Sequence, residues 1–588
     1  MMAVVLPVLC FAALLKKDDL RESFLTSAVA TGFFIALSTE LLSVFDSIAY
    51  IWLVLCWTVY LSGLAVWRYR SQPTAEPVPR PQTTVYQNIL LALLLCIFGV
   101  SGITAIVAAP NNFDSLTYHL PRIMHWIQNR SVEHYPTHID RQLVLAPFSE
   151  FGIMHLQILS GGDRFDNCVQ WFSMVGSALG VSLIVRALGG SLNSQIVSAV
   201  IAVSVPMGLL QSTSTQNDYA VTFWLVCLTY YVIKAKQCPD ARHALLVGLS
   251  LAFAIFTKGT AYLVALPFML VYTWVVITAT GFKKATAYLL VVAAMILLVN
   301  GGHYARNMKV YGNPISPGTG NDIICKSVGV RPTISCITKN VATQLVSGFR
   351  DADLALAALT GYVHDAIGVQ INDPDLTADR DFVLQTRTHE DFASNHLHMM
   401  LMLVAAVALV LGRKRYPRDT MLFAAAAILS FVVLSAGIKW NPFISRYFLP
   451  VLVISAPFLS LIYDVPKIRP VVNACAILLL LCSFPVLAEN EMRPLLGEKS
   501  VLVTERIDQY FITRPQARQY FAATATMIKQ QGVTNIGILD RDGNMWEYVL
   551  WVMLKSDGDK YRIEHVDVQN RSGGIKLIDF SKYQPVRI

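Results

Sequence analysis

Charged residues make up only 15% of this 588-residue chain, while 54% are hydrophobic. Soluble domains carry about 25% charged residues, so the deficit excludes an ordinary water-soluble protein. Glycine-rich phosphate cradles are missing as well. Neither a Walker-type nor a dinucleotide-type spacing occurs, which argues against direct use of a nucleotide. The twelve histidines show no HxxH or HExxH spacing, so no metal set is legible in them. There is no internal repeat and no coiled-coil heptad pattern.

Apolar length is abundant instead. One crossing of the hydrocarbon core needs about 20 apolar residues. Runs of that kind lie at 24–44, 47–67, 87–109, 166–188, 194–212, 218–235, 242–257, 260–279, 285–302, 397–412, 420–437, 446–463 and 470–488. With the apolar stretch from Met1 to Leu15, the chain reads as about 13 or 14 crossings. That stretch has no basic segment before it and no small-residue cleavage site, so a cleaved signal peptide is not expected. The formal charge of +8 is not a polyanion-binding patch, and no nucleic-acid partner is expected. Its basic residues recur in short connections: Arg68, Arg70 and Arg80; Lys234, Lys236 and Arg242; Lys283 and Lys284; Arg413 to Arg418; Lys467 and Arg469. Basic loops stay on the cytoplasmic side. The expected topology therefore puts 110–165, 303–395 and the tail beyond 489 outside, in a multi-pass protein of a bacterial inner membrane.

Four regions follow. They are 1–109, a set of membrane hairpins with a proline-rich linker from Gln72 to Pro81; 110–165, a first outer loop; 166–488, the main bundle with its outer loop at 303–395; and 489–588, a soluble domain. The soluble domain reads as α/β, with a helix from Pro515 to Gln531 and a strand from Asn535 to Leu539. After an Asp540-Arg-Asp-Gly turn come a helix from Met545 to Leu554 and a strand from Tyr561 to Val568. The fold class expected is an all-α polytopic bundle with a small C-terminal α/β extracytoplasmic domain. Most cysteines sit in or beside apolar spans, but Cys325 and Cys336 share the long outer loop. In an oxidising compartment that spacing suits a disulfide.

In the first outer loop, Leu116, Leu120, Ile123 and Ile127 recur at helical spacing, with His119, Arg122 and Trp126 on another face. This pattern predicts a helix lying in the membrane interface. Asp114 stands at its start, as a helix cap or as a reactive carboxylate. Ionisable residues also mark the rims of spans, where they are costly and point to function. They fall at Thr215-Gln-Asn217-Asp218, at Thr257-Lys258-Gly, at His303-Tyr-Ala-Arg306-Asn followed by Tyr311-Gly-Asn313-Pro, and at Lys439 through Arg446-Tyr-Phe-Leu-Pro. All four places share the expected side of Asp114, which points to one outward site.

These motifs, with Ala146-Pro-Phe, Gly162 and Arg164, resemble in order and sidedness the GT-C class of membrane glycosyltransferases. They come nearest to the family 39 group of protein O-mannosyltransferases and lipid A aminoarabinose transferases. The chain departs from that pattern in having three or four spans, not one, before the acidic loop. It also has one acidic residue there in place of two close together, with Glu133, Asp140 and Glu150 further off. The resemblance implies transfer of a sugar from a polyprenyl-phosphate donor to a lipid, glycan or protein acceptor, with membrane lipids as surroundings. It also implies Asp114 as general base with His119 as the alternative, and Lys258, Arg306 and Arg446 at the donor phosphate. Tyr118, Arg122, Asn217, Asp218 and Asn313 would orient substrate. No cofactor is firmly implied, although some relatives need a divalent metal. A single displacement would invert the anomeric centre. The rival expectations are an oligosaccharide ligase or polymerase, a transporter or flippase, and a non-catalytic scaffold.

Overall fold

The computed structural model describes residues 2–15, 19–70, 82–315, 323–411, 414, 416–555, 560–575 and 584–586. The linker from Gln72 to Pro81, together with Lys16, Lys17, Arg413 and Arg415, lies outside the described residues. Among the described residues, eight helices are long and apolar enough to cross a membrane. They are Leu20–Val44, Tyr50–Arg70, Val85–Val107, Asp163–Ala187, Ala261–Thr280, Phe282–Tyr311, Arg418–Gly437 and Arg469–Ala488. Shorter apolar helices, among them Ala241–Thr257, His396–Leu411 and Leu449–Ile462, complete the bundle.

Local chemistry sets the helix ends. Asp19 accepts the amide of Glu22, Asp240 accepts that of His243, and Thr84 forms a reciprocal capping box with Gln87. Helix Asp218–Gln237 is buried almost throughout, packed against Cys168–Ala187, Ala241–Thr257, Ala261–Thr280 and Leu449–Ile462. Small residues permit that packing. A Cβ at Gly176 would lie 2.4 Å from Phe223, and one at Gly180 would lie 2.4 Å from Val226.

Three expectations need correction. The run at 194–212 is two helices, Leu192–Val203 and Pro206–Gln211, because Pro206 cannot donate the amide that would continue the first. The loop at 303–395 holds two helices of its own, Val330–Leu345 and Arg350–Ile367, and the span before it runs on to Tyr311. The third concerns the segment after Asp114. It does not lie greasy side down in the interface, since both of its faces are buried: Leu116, His119, Leu120, Arg122, Ile123 and His125 are each 0–1% exposed. The C-terminal helix Glu547–Lys555 and helix Phe148–Ser160 cover it.

The C-terminal domain carries helix Ala517–Gln531, strand Asn535–Ile538, helix Glu547–Lys555 and strand Arg562–His565. A third strand, Gln584–Val586, has no counterpart in the sequence reading. All three run parallel, with Asn535–Ile538 in the middle. The Asp540 carboxylate accepts the amides of Gly543 at 3.1 Å and Met545 at 3.0 Å, so it serves the turn itself. Cys325 and Cys336 face each other in a buried cluster with Leu376, their Sγ atoms 3.8 Å apart as free thiols.

Candidate active site

Asp114 does not cap the helix that follows it. Asn112 takes that part, accepting the amide of Ser115 at 2.7 Å, and the Asp114 carboxylate is left to turn elsewhere. Residues Ser115–His119 form a π-helical turn with a cause in the sequence. Pro121 has no N–H to give the Thr117 carbonyl four residues back, so the α-pattern fails there. Gln142 supplies the missing donor, its Nε2 lying 2.9 Å from that carbonyl.

The turned carboxylate meets Arg446, with Asp114 Oδ2 2.8 Å from Nη1. The same nitrogen lies 3.1 Å from Oδ1 of Asp391, which Gln216 also holds, at 3.1 Å. Next along the chain, Tyr447 presents its ring to both cations, 5.6 Å from the Arg446 guanidinium and 4.8 Å from Lys258 Nζ. Lys258 closes the line at 2.5 Å from Asp218 Oδ1. Asn217 fixes this end by donating to the Thr257 carbonyl at 3.0 Å, in the break between two spans. Arg141, partly exposed, stands 3.9 Å from the other Asp114 oxygen over the ring of Tyr118. The line thus runs from Arg141 through Asp114 and Arg446, past Tyr447 to Lys258 and Asp218, with Asp391 beside Arg446.

Such a line favours an anionic ligand that breaks into it. Three buried polar atoms within or beside it have no partner: Asp218 Oδ2, Arg446 Nε and Asn112 Nδ2. Buried polar groups are nearly always satisfied, so these three are open to a substrate atom or a water. Burial by itself would raise the Asp114 pKa. Arg446, with help from His119 and Arg141, outweighs it and holds the carboxyl well below its usual range.

Other residues named from the sequence have different tasks. His119 Nδ1 donates to the Glu150 carboxylate at 2.8 Å, and Arg122 reaches the same oxygen at 3.0 Å. Arg122 also holds the carbonyls of Arg141 and Gln142, so it shapes the loop. Arg306 lies apart from the line. Glu40 grips it at 2.6 and 2.8 Å, with Glu133 at 4.0 Å. Asn313 is exposed, and its Oδ1 accepts the amide of Ile315.

Sequence reasoning missed Asp391, Arg141, Tyr447 and a knot beneath them. Buried Arg493, beyond the last span, donates to Asn111 at 2.8 Å, to Thr213 at 3.1 Å and to the Leu210 carbonyl at 3.2 Å, and pairs with Glu390. Desolvation lowers its pKa to about 9. No spacing rule links residues 111, 213, 390 and 493. Only the motif context of Arg446 could have prompted a search for a second acid.

Two settings bear on metals. In the line, each carboxylate already faces a cation, and the residues present do not fit a divalent ion. Elsewhere, His125, Glu547 and His565 bring ligand atoms within 4.8 Å of one another. There the amide of His138 donates to Nδ1 of His565, which leaves Nε2 to carry the proton toward Glu547. That is a hydrogen-bonded carboxylate, not a metal set. A separate cavity of about 280 Å³, lined by Asp163, Arg506, Tyr548 and Trp551, lies between the C-terminal domain and the loop, away from Asp114.

Known proteins resemble the chain in sequence over one stretch and in fold over most of its length. The family model described as dolichyl-phosphate-mannose-protein mannosyltransferase matches residues 156–301, a stretch that holds Asp218 and Lys258. No curated protein matches the sequence. Among solved structures, ArnT from Cupriavidus metallidurans bound to undecaprenyl phosphate is 12% identical, with a TM-score of 0.51, over 86% of this chain and 90% of that one. The same protein in its apo state is also 12% identical, with a TM-score of 0.49, over 85% and 90%. The family match within residues 156–301 and the fold shared along most of the chain support a GT-C-like membrane glycosyltransferase over the transporter and scaffold expectations.

Proposed function

We propose that the chain transfers a sugar from a polyprenyl-phosphate donor to an acceptor hydroxyl on the non-cytoplasmic side, with Asp114 as general base. The observation that carries this is the pairing of Asp114 with Arg446 at 2.8 Å, next to a second cation, Lys258, and under unpartnered polar atoms. A protein of the same fold binds undecaprenyl phosphate, a ligand of the proposed class.

The donor phosphate competes with Asp114 and Asp391 for Arg446. Arginine suits this exchange because its fork accepts either a carboxylate or a phosphate, while Lys258 adds a point charge. Once phosphate takes the guanidinium, Asp114 loses its main cation and gains proton affinity, just as the acceptor arrives. The acceptor O–H proton passes to Asp114, and its oxygen bonds to the anomeric carbon. The bond from that carbon to the phosphate oxygen breaks, and the electron pair leaves with polyprenyl phosphate. Charge stabilisation of that leaving group is the work of Arg446 and Lys258. Asp218 Oδ2 orients the sugar or acceptor.

Inversion of the anomeric centre stays part of this proposal. Its sequence-level reason was a lone carboxylate, yet Asp391 shares Arg446 with Asp114. The anomeric configuration of the product decides it.

Membranes carrying the protein, supplied with radiolabelled polyprenyl-phosphate sugars, are expected to move label from the lipid to an acceptor. Passage of intact donor across vesicles, with no label released, would overturn the reading. Arg306, seated on Glu40, is placed outside the donor site by this account. We also propose that Cys325 and Cys336 form a disulfide in an oxidising compartment. The unreduced peptide pair is expected to be about 2 Da lighter than the two thiols, and full alkylation without reductant would refute it.

A further inference from the structure

Glu547 opens the helix of the C-terminal domain and is 0% exposed. Four N–H groups converge on its carboxylate. His125 at 2.8 Å and Trp551 at 2.9 Å reach Oε1, while Gln142 at 2.9 Å and His565 at 3.1 Å reach Oε2. Burial alone would raise its pKa; the two histidines more than reverse this and hold it ionised.

Gln142 is the important member of the four. Its amide nitrogen has two hydrogens, one for Glu547 Oε2 and one for the Thr117 carbonyl that Pro121 leaves unserved. Its own oxygen accepts from Tyr135 and Thr137, both at 3.0 Å, so the amide cannot turn over without losing both. A continuous chain of hydrogen bonds therefore runs from the C-terminal domain to the π-turn that aims Asp114.

We propose that Glu547 is a positioning residue for the reaction, acting through Gln142 on the Ser115–His119 turn. The C-terminal domain is then a part of the active-site scaffold and not merely an appended module. This inference rests on the reading of Asp114 as the base.

Two variants test it. Glu547→Gln presents an NH2 group to two of the four donors, whichever way it turns. Gln142→Leu removes the link and leaves Glu547 in place. Each is expected to lower kcat by about tenfold with donor KM within about twofold, the signature of lost transition-state geometry. The double variant is expected to be no slower than the slower single, because both break one chain. Losses that multiply to about a hundredfold, or a kcat unchanged in Gln142→Leu, would overturn the proposal. If Glu547→Gln fails to fold, Gln142→Leu decides alone.

Hydrogen exchange separates this inference from the donor reading, since it needs no substrate. Amides at 115–120 are expected to exchange about tenfold faster in both variants than in the wild type. An unchanged rate there refutes the proposal even if the wild type transfers sugar. Faster exchange with a wild type that releases no label would spare the link and sink the donor reading.

Discussion

Arg446→Ala is expected to lower kcat/KM for sugar transfer by about 10²–10³, the effect of removing one preorganised charge from a developing anion. It should also loosen the protein. Asp114 and Asp391 are each about 12% exposed and would lose their shared cation. Breaking a buried pair from one side costs about 3–5 kcal/mol, well beyond a surface salt bridge. Arg446→Lys separates the two effects. The charge returns, and with it much of the stability, but a lone ammonium has no second nitrogen with which to grip a phosphate bidentately. Thermal unfolding in detergent and initial rates with labelled donor measure both. Full activity in Arg446→Lys would show that charge alone suffices there and that the exchange between carboxylate and phosphate is not the device.

For Asp114→Asn, kcat is expected to fall by about 10²–10⁴, the usual contribution of a general base. Donor KM should fall as well. Asparagine leaves Arg446 with Asp391 but without Asp114, so phosphate has one carboxylate fewer to displace, and donor binds more tightly. A base lost without any gain in donor affinity would speak against the competition described above. The pH dependence follows from the same pair. Arg446 holds the Asp114 pKa below its usual value of 3.8, so the carboxylate stays ionised throughout the neutral and mildly acidic range. Its pairing stabilises the fold fully above the unfolded value, and that stability is lost as pH falls toward the lower, folded one. Replacing Arg446 by Gln removes the depressing charge. The acid limb of activity in free enzyme is then expected to rise in pH relative to the wild type.

Much of the bundle was legible because a membrane helix announces itself locally, by apolar length and by caps such as Thr84 with Gln87. Local rules also located Asp114, Asp218, Lys258 and Arg446, since an ionisable group beside a span is conspicuous wherever it stands. They failed where a partner far along the chain decides the role. Arg306 read as a phosphate ligand beside Arg446, and no local rule showed that Glu40, from a much earlier helix, pairs with it. Asp391 lay in a long loop with nothing to distinguish it from its acidic neighbours. The helix after Asp114 showed an amphipathic face, and amphipathicity does not say whether lipid or another domain covers it. Here Glu547 and Trp551 supply the cover, and no periodicity in residues 116–127 refers to them.

The knot around Arg493 has a consequence for biosynthesis. Its four contacts join the first loop, the Pro206 helix, the loop before His396 and the tail after the final span. A ribosome that has delivered every crossing has still not delivered this arginine, so Glu390 waits buried without a counter-charge and Asp391 without a fixed neighbour. Assembly of the proposed site is therefore expected to follow insertion of the crossings. A chain cut just short of residue 493 would insert all its crossings and yet remain inert.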